Sequence, residues 1–296
     1  MDPNAPASTG YYGRPLLKAP VWTWEVPAYF FAGGTAGAAA VIAWIASVVH
    51  GDATLARDAR WIAVAGALVS PALLISDLGR PSRFLNMLRV FKRQSPMSVG
   101  AWALVAFSGA AFAAAGIDIA RSANVGLSAT VLGVAGAMAD AAAAATGLLL
   151  ATYTGVLIGA TAIPVWSRYV RMLPMLFGVS GLGAAVSVLE LLGHHTQNLN
   201  WIGIGVAAFE AGCGLLIELD SHPAARPLHN GRSGAVLRLG GGLIGPVSLM
   251  FRIMSLAIPS LRPAAAAVMI AGALITRIGW ILAGRDSAAD WKSALG

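Results

Sequence analysis

Polar and charged side chains recur at the ends of long apolar stretches, where they could bind a polar ligand or exchange protons with it. In chain order these residues are Glu25, Asp77, Arg80, Ser95 and Arg168. Successive membrane helices run in opposite directions, so all of these positions fall at one membrane end. Charges in or near hydrocarbon are costly, which makes such residues candidates for function by default. Simple interfacial anchoring with salt bridges is the alternative for each of them.

A second set of ionisable residues lies within the later apolar stretches, at staggered depths. Its members are Glu190, Glu210, Arg252 and Arg277. Residues of this kind can pass protons across a bilayer in steps, and we predict that they form a proton pathway. The alternative is buried ion pairing without transport, for example between Glu210 and Arg277.

Histidine and cysteine usage argues against redox centres held by this protein. His50 and His194 end two apolar stretches on the same side, so a pair of haem b ligands is just conceivable. The single cysteine, Cys213, excludes an internal disulfide and an iron–sulfur cluster held by this protein alone. We therefore expect no haem, no iron–sulfur cluster and no metal site here.

The elements that position these residues must be membrane helices. Of the 296 residues, 57% are hydrophobic and only 11% are charged, against about 25% charged in soluble domains. We predict an all-α integral membrane protein with eight spanning helices, each near the required length of about 20 residues. The predicted spans are 27–50, 59–77, 97–119, 139–165, 172–193, 199–218, 236–258 and 263–284.

Two segments between these spans need an interpretation of their own. Segment 124–138 could be a ninth short span, a surface helix or an early start of the fourth span, and we favour the last. Segment 81–94 is basic and carries apolar residues at helical spacing, so we predict an amphipathic helix on the membrane interface. The first ~20 residues lack the apolar core of a signal peptide, so we expect no cleavage.

The basic residues predict sidedness. With an even number of spans both termini share one face, here called the terminal face, and most Lys and Arg residues fall there. The opposite face carries Arg57, Arg60, Arg121 and Arg262. By the positive-inside rule we predict a multi-pass protein of the cytoplasmic (inner) membrane with cytoplasmic termini. The net charge of +7 then reflects topology and membrane lipid rather than nucleic acid.

Three strings carry the most specific signals. Residues 22–38, WTWEVPAYFFAGGTAGA, place an aromatic entrance before a Gly-rich helix. Residues 76–102, SDLGRPSRFLNMLRVFKRQSPMSVGAW, combine a turn, a surface segment and the restart of a span. Residues 151–166, ATYTGVLIGATAIPVW, put the phenol of Tyr153 inside a membrane helix, where its hydroxyl needs a partner.

At these strings the sequence resembles the NrfD/PsrC family, the membrane subunits of polysulphide- and nitrite-reductase-type respiratory complexes. The resemblance covers about residues 20–170, and the ending ITRIGWILAG is similar to the family's last helix. It implies a core without its own redox cofactor that binds a quinone, menaquinone or ubiquinone, in its first four-helix bundle. It also implies an iron–sulfur partner subunit and a catalytic subunit of the molybdopterin or multihaem type.

The resemblance implies that Tyr153, Asp77 and Glu25 line or protonate the quinone site. From the residues themselves we add Tyr29, Trp24 and Arg80, because a quinone ring needs an aromatic-walled cleft near the interface. The basic residues that could dock an acidic partner face are Arg83, Arg89, Lys92 and Arg93.

We therefore expect a membrane anchor subunit, not catalytic alone, that exchanges electrons between an iron–sulfur partner and quinone, with proton transfer. The expected segments are 1–26 (polar), 27–170 (first bundle), 171–285 (second bundle) and 286–296 (tail). A transporter without redox partners and a haem b anchor are the alternatives. The family's quinone side faces the periplasm, whereas the charges favour the cytoplasm, and we expect the cytoplasmic side.

Overall fold

The computed structural model describes residues 17–78, 80, 82, 84–123, 126 and 128–289, with the side chain of His50 excepted. Helices and turns make up this part of the protein, and it contains no strand. The α-helices are α1 Glu25–Ile45, α2 Ala53–Asp77, α3 Phe84–Leu88, α4 Pro96–Ser122, α5 Ala129–Gly159, α6 Pro164–Arg168, α7 Met172–Leu191, α8 Gln197–Glu218, α9 Arg226–His229, α10 Gly231–Gly242, α11 Ser248–Ala257 and α12 Arg262–Ala289.

Eight helices in the described residues are long and apolar enough to cross a membrane, which confirms the predicted fold class. They are Glu25–Val49, Ala53–Asp77, Pro96–Ser122, Ala129–Gly159, Met172–Leu191, Gln197–Glu218, Gly231–Ala257 and Pro259–Ala289. The protein is therefore a multi-pass membrane protein. The predicted boundaries differ markedly at α2, which begins six residues before the predicted position 59.

The fourth span starts early, as segment 124–138 was predicted to do. Ser128 caps α5 by accepting a hydrogen bond from the backbone N–H of Val131 at 3.3 Å. The helix is 31 residues long, well beyond the ~20 residues that a bilayer requires. It therefore has length to spare outside the hydrocarbon at one or both ends.

The surface helix is shorter than predicted. An amphipathic helix over 81–94 was expected, and among the described residues of that segment the α-helix covers Phe84–Leu88 and does not continue through residues 89–94. Ser98 explains where it stops, because its hydroxyl accepts from the Lys92 N–H at 3.0 Å and donates to the Val90 carbonyl at 3.3 Å. These bonds hold residues 90–92 against the start of α4 and replace the bonds that a longer helix would make.

α1 lies at the centre of the molecule and packs on α2, α5, α7 and α12. Its glycines permit backbone contact, since a Cβ on Gly37 would lie 2.2 Å from the carbonyl oxygen of Gly147 in α5. On the other side, a Cβ on Gly181 of α7 would lie 2.8 Å from the Gly34 carbonyl oxygen. Small residues at such crossings are how membrane helices gain van der Waals contact.

Among the first four spans, α1 and α4 each pack on both α2 and α5. The last four spans also pack on one another. Because α1 also packs on α7 and α12, the two sets share a wide interface. The predicted segment boundaries at 26, 170 and 285 stay a prediction.

The seventh span is interrupted. Between α10 and α11 the residues Leu243–Val247 form a π-helical turn that contains Pro246. Proline has no backbone N–H to donate, and π-turns are a common way to accommodate the missing bond. Next to it, a Cβ on Gly245 would lie 2.9 Å from the Ala211 nitrogen of α8, so the two helices meet there closely.

A hydrogen-bonded ion pair at the terminal face joins the end of α6 to the segment that follows α8. Arg168 Nε and Asp220 Oδ2 are 3.2 Å apart, and the Tyr169 hydroxyl donates to the same oxygen at 2.7 Å. The hydrogen bonds from Arg168, Tyr169 and the His222 N–H lower the pKa of Asp220 to about 2. Arg168 thus has a structural partner and is not part of the cavity described next.

Candidate functional site

A cavity of about 100 Å³ lies between the terminal-face ends of α1, α2, α4 and α5. Its walls are mostly aromatic, aliphatic and thioether side chains, with one carboxylate and two phenols. The lining residues are Trp22, Val26, Tyr29, Phe30, Leu74, Asp77, Leu78, Phe84, Met87, Met97, Gly100, Ala101, Tyr153 and Leu157. Three of the predicted site residues, Tyr153, Asp77 and Tyr29, are therefore brought together here.

Tyr153 supplies a free polar group inside this cavity. Its side chain is 4% exposed, and its hydroxyl has no acceptor among the described residues; the Gly100 N–H lies near its oxygen without forming a well-aligned hydrogen bond. Gly100 makes room for the ring, because a Cβ at that position would lie 2.1 Å from Tyr153 Cε1. A buried hydroxyl without a partner is costly, so a ligand oxygen in the cavity would be a favourable acceptor.

Asp77 and Glu25 approach one another through Thr23. The Thr23 hydroxyl donates to Asp77 Oδ1 at 3.2 Å and also lies in hydrogen-bond contact with Glu25 Oε2. One hydroxyl hydrogen cannot serve two carboxylates at once, so Thr23 can donate to either carboxylate but to only one at a time. Asp77 lines the cavity, whereas Glu25 lies behind it and is linked to Asp77 through Thr23.

The aromatic wall is held in place from behind. Trp22 stacks on Trp166 with ring centroids 5.6 Å apart and an interplanar angle of 15°, and it meets Phe30 edge-on at 6.5 Å. Trp166 is itself fixed, since its indole N–H donates to the Trp280 carbonyl at 2.9 Å. Trp22 is therefore held by aromatic packing, and a flat apolar ring is the shape that fits against it.

Two predicted quinone-site residues lie outside the cavity lining. Trp24, the residue that precedes α1, is 69% exposed, so its side chain points away from the bundle. Arg80 is also exposed and lies beyond the end of α2. Neither of them is among the lining residues, so their expected direct contact with a ligand in this cavity finds no support.

Three of the four predicted docking residues lie on the surface that adjoins this cavity. Arg89, Lys92 and Arg93 are exposed, and within the described residues none of them forms a salt bridge. Arg83 falls outside the described residues. A positive surface thus borders the cavity through Phe84 and Met87, which line it.

The residues of the predicted proton pathway occupy two separate places. Glu190 and Arg252 form a fully buried ion pair, with Arg252 Nη2 3.0 Å from Glu190 Oε2 and Nη1 3.1 Å from Oε1. Ser187 accepts a further bond from Arg252 at 2.9 Å, and Asn200 contacts its Nη1 at 3.4 Å. This pairing is the alternative that the sequence left open.

Glu210 and Arg277 do not pair in this way. Arg277 donates to the carbonyl oxygens of Ala273 at 2.9 Å and Phe177 at 3.0 Å, and its guanidinium lies 5.3 Å from the centre of the Phe177 ring. Glu210 lines a second cavity, treated below. A proton path through these residues stays a prediction.

The sequence alone missed an ion-pair cluster in the first four spans. Arg60 binds Asp140 of α5 through both carboxylate oxygens, at 2.8 and 2.7 Å, and lies 3.4 Å from Asp118 of α4. The sequence places Arg60 at the opposite face because the second span is expected to start at 59. Asp52 is the residue that could have indicated the earlier start of the helix. It caps α2 by accepting a hydrogen bond from the Leu55 N–H at 3.0 Å, and the helix begins at Ala53.

His194, one of the two conceivable haem ligands, has another partner. Its Nε2 lies 2.8 Å from Asp58 Oδ2, which ties the end of α7 to the start of α2. Within the residues that the structure describes, no cluster of three or more His, Cys, Asp or Glu residues could hold a metal ion.

Comparison with known proteins gives two matches. The family model "Polysulphide reductase, NrfD" matches residues 16–283. The protein is also 30% identical over 188 residues to the C subunit of polysulfide reductase from Wolinella succinogenes. That match covers 58% of this protein and 58% of the relative, so it extends over little more than half of either one.

Proposed function

Because the protein belongs to the polysulphide reductase NrfD family, we propose that it exchanges electrons with quinone as the membrane subunit of a respiratory reductase complex. The resemblance seen in its three motif strings is confirmed by the family match. The observation that carries the proposal is the cavity with an unpartnered Tyr153 hydroxyl on one wall and Asp77 on another.

The chemistry of the cavity suits the two oxygens of a quinone, menaquinone or ubiquinone. Reduction adds two electrons and two protons to the ring, and oxidation of the quinol removes them. Tyr153 can donate a hydrogen bond to one ring oxygen, while Asp77 can take or give a proton at the other. Thr23 then links Asp77 to Glu25, which supports a short proton relay to the terminal face.

The cavity must widen to admit the ring. Its volume of about 100 Å³ is below the ~300–1,000 Å³ typical of ligand pockets. Met87 and Met97 form part of the lining, and unbranched thioether side chains change conformation easily. The packed Trp22 wall and the adaptable methionine wall together support entry of a flat ring between them.

The electrons require a partner, and the exposed basic surface beside the cavity supports one. We place an iron–sulfur subunit with an acidic face against Arg80, Arg89, Lys92 and Arg93, with a catalytic subunit of the molybdopterin or multihaem type beyond it. Opposite charges would steer this association and set its orientation. Docking here would bring the cluster to the mouth of the quinone cavity.

The membrane placement and the longer proton route belong to the same proposal. The excess of basic residues on the terminal face supports a cytoplasmic membrane location with both termini in the cytoplasm. A proton route across the last four spans would use Glu210 and Arg277, with the Glu190–Arg252 pair as a step that must open.

The test is quinol turnover by the complex purified with its partner subunits. Tyr153→Phe and Asp77→Asn should each lower turnover of a short-chain quinol by about 10²-fold or more, as loss of a positioned proton donor or acceptor does. Tyr169→Phe makes the same chemical change outside the cavity and should leave turnover within about twofold. Normal turnover in both cavity variants, with the complex assembled, would overturn the proposal.

A further inference from the structure

A second and larger cavity, about 310 Å³, lies among the last four spans, between α8, the seventh span and α12. It extends from Glu218 and Arg238 at the terminal face to Glu210 and Pro246 near the middle of the membrane. It shares no lining residue with the Tyr153 cavity. Its volume is in the range of small-molecule sites.

Missing side chains create this space. Gly214 of α8 and Gly241 and Gly242 of α10 line the cavity, and a Cβ built on any of them would have no heavy atom within 4 Å. Gly240 and Gly245 on the same span are different, since their Cβ atoms would meet other helices at 2.6 and 2.9 Å. The glycines of the lining are therefore not needed for helix contact, and they leave a slot.

The slot reaches the lipid-facing surface of the protein. Leu215 and Pro246 line it and are exposed, Leu215 to 60%. In a bilayer these residues face acyl chains, so a molecule dissolved in lipid can enter sideways between α8 and α10. Trp280 forms the opposite, fully buried wall.

The carboxyl group of Glu210, at the inner end of the cavity, has one oxygen without a hydrogen-bond donor among the described residues. Glu210 is 4% exposed, and among the described residues its Oε1 has no hydrogen-bond donor. The neighbouring Thr276 hydroxyl is committed to the Gly272 carbonyl at 2.7 Å. The Arg277 guanidinium donates to two backbone carbonyls instead. A buried carboxyl oxygen without a partner calls for a donor from whatever fills the cavity.

We propose that this cavity is a second binding site, for a lipid-dissolved phenol or hydroquinone whose hydroxyl donates to Glu210 while its ring occupies the glycine slot beside Trp280. An acyl chain would fill the slot but offers no donor. Water would offer donors but would leave a mostly apolar wall wetted. The proposal concerns binding alone and holds whether or not quinone reacts at the Tyr153 cavity.

The test is photolabelling of the complex, purified with its partner subunits and reconstituted in lipid nanodiscs. The probe is a short-chain 1,4-hydroquinone that carries a diazirine, and the control probe is its dimethyl ether, which has the same ring and no donor. We expect labelled peptides from α8 and α10, with at least tenfold less label from the ether. A tenfold loss is about what one hydrogen bond to a carboxylate is worth in affinity.

Two variants and a matched control make the result specific. Gly241→Leu should fill the slot and abolish labelling of α8 and α10, and Glu210→Leu should lower it about tenfold. Gly212→Leu makes the same change on an exposed position of α8 that also has open space around it, and it should label like the parent protein.

Three outcomes would overturn this second site: no label in α8 or α10, equal label from the ether, or label that survives Gly241→Leu. Labelling at the Tyr153 cavity is scored separately, on peptides that contain Trp22 to Phe30 or Met97 to Ala101. Loss of label there with label kept on α10 would count against the proposed quinone site alone.

Discussion

The Thr23 hydroxyl donates a hydrogen bond to the Asp77 carboxylate, with 3.2 Å between Oγ1 and Oδ1. The residues are far apart in sequence, and the bond ties the segment before α1 to the last residue of α2. Since Thr23 also contacts Glu25, it is the only described side chain that bonds both carboxylates. The proposed relay between cavity and surface therefore depends on one hydroxyl.

Thr23→Val should slow quinol turnover about tenfold, because the loss of one hydrogen bond to a charged group costs about 1.5 kcal/mol. The fall should be accompanied by a changed pH profile of turnover, since Asp77 and Glu25 would no longer be linked. Thr152→Val is the control, as its hydroxyl binds only carbonyls of its own helix, those of Leu148 and Leu149. An unaltered rate and pH profile would mean that Thr23 has no part in the reaction.

Gly100→Ala should displace the Tyr153 ring, because a Cβ at Gly100 would lie 2.1 to 2.6 Å from its atoms. A catalytic group moved by about 1 Å can cost about 10²-fold in rate, and we expect a loss of that order in quinol turnover. Gly109→Ala on the same helix meets open space and should be neutral. Equal rates in the two variants would show that the position of Tyr153 is unimportant.

Glu190→Leu should destabilise the protein by about 3–5 kcal/mol, because it leaves Arg252 buried without a counter-charge. Glu218→Leu removes a partner of Arg238 in an exposed pair of similar geometry, 2.8 Å against 3.0 Å, and should cost about 1 kcal/mol or less. Thermal unfolding in detergent, followed through Trp fluorescence, compares the two. Similar melting temperatures would contradict a structural role for the buried pair.

Asp220→Asn should remove an acid-sensitive contribution to stability. The pKa of Asp220 is lowered from 3.8 to about 2 in the folded protein, so its contribution is present above pH 3.8 and is lost as the pH falls toward 2. Because the Arg168 side chain is 43% exposed, solvent screens the pair and the effect should be about 1 kcal/mol or less at neutral pH. The melting temperatures of parent and variant should converge as the pH falls from 3.8 to about 2, and a pH-independent difference would exclude this assignment.

Val90→Cys in a Cys213→Ser background should resist an impermeant maleimide in intact cells and react after permeabilisation. This result follows from the placement of the basic terminal face in the cytoplasm. Ser260→Cys lies on the opposite face, in the turn between the last two spans, and should react in intact cells. The reverse pattern would place the quinone cavity on the outer side of the membrane.

Hydropathy was enough to predict the spans, because each apolar stretch must satisfy its own backbone within a helix. It misplaced the start of α2, since Arg57, Asp58 and Arg60 make that turn look like a loop. In the structure Arg60 is neutralised by Asp140, a residue 80 positions away. Hydropathy is averaged over neighbouring residues, so it cannot detect an ion-pair partner 80 positions away in the sequence.

The candidate site was predictable to the extent that it rests on residue type. Asp77, Tyr153 and Tyr29 were found because a carboxylate and phenols are unusual in such helices. Thr23 and Gly100 were missed, since a threonine and a glycine are unremarkable until their neighbours from α2 and α5 are known. The role of Trp24 stays a prediction, since an aromatic residue before a membrane helix can face either the bundle or the lipid, and its side chain is exposed.

The position of α1 has a consequence for how the protein is made. Of the eight spans α1 is the first to leave the ribosome, yet Gly37 and Gly34 touch Gly147 and Gly181, which are synthesised much later. At about 5–20 residues per second, α1 waits in the membrane for on the order of ten seconds before either partner arrives. During that time its glycine faces need cover from lipid or from the insertion machinery, and a side chain placed at Gly37 would meet its clash with Gly147 only when α5 arrives.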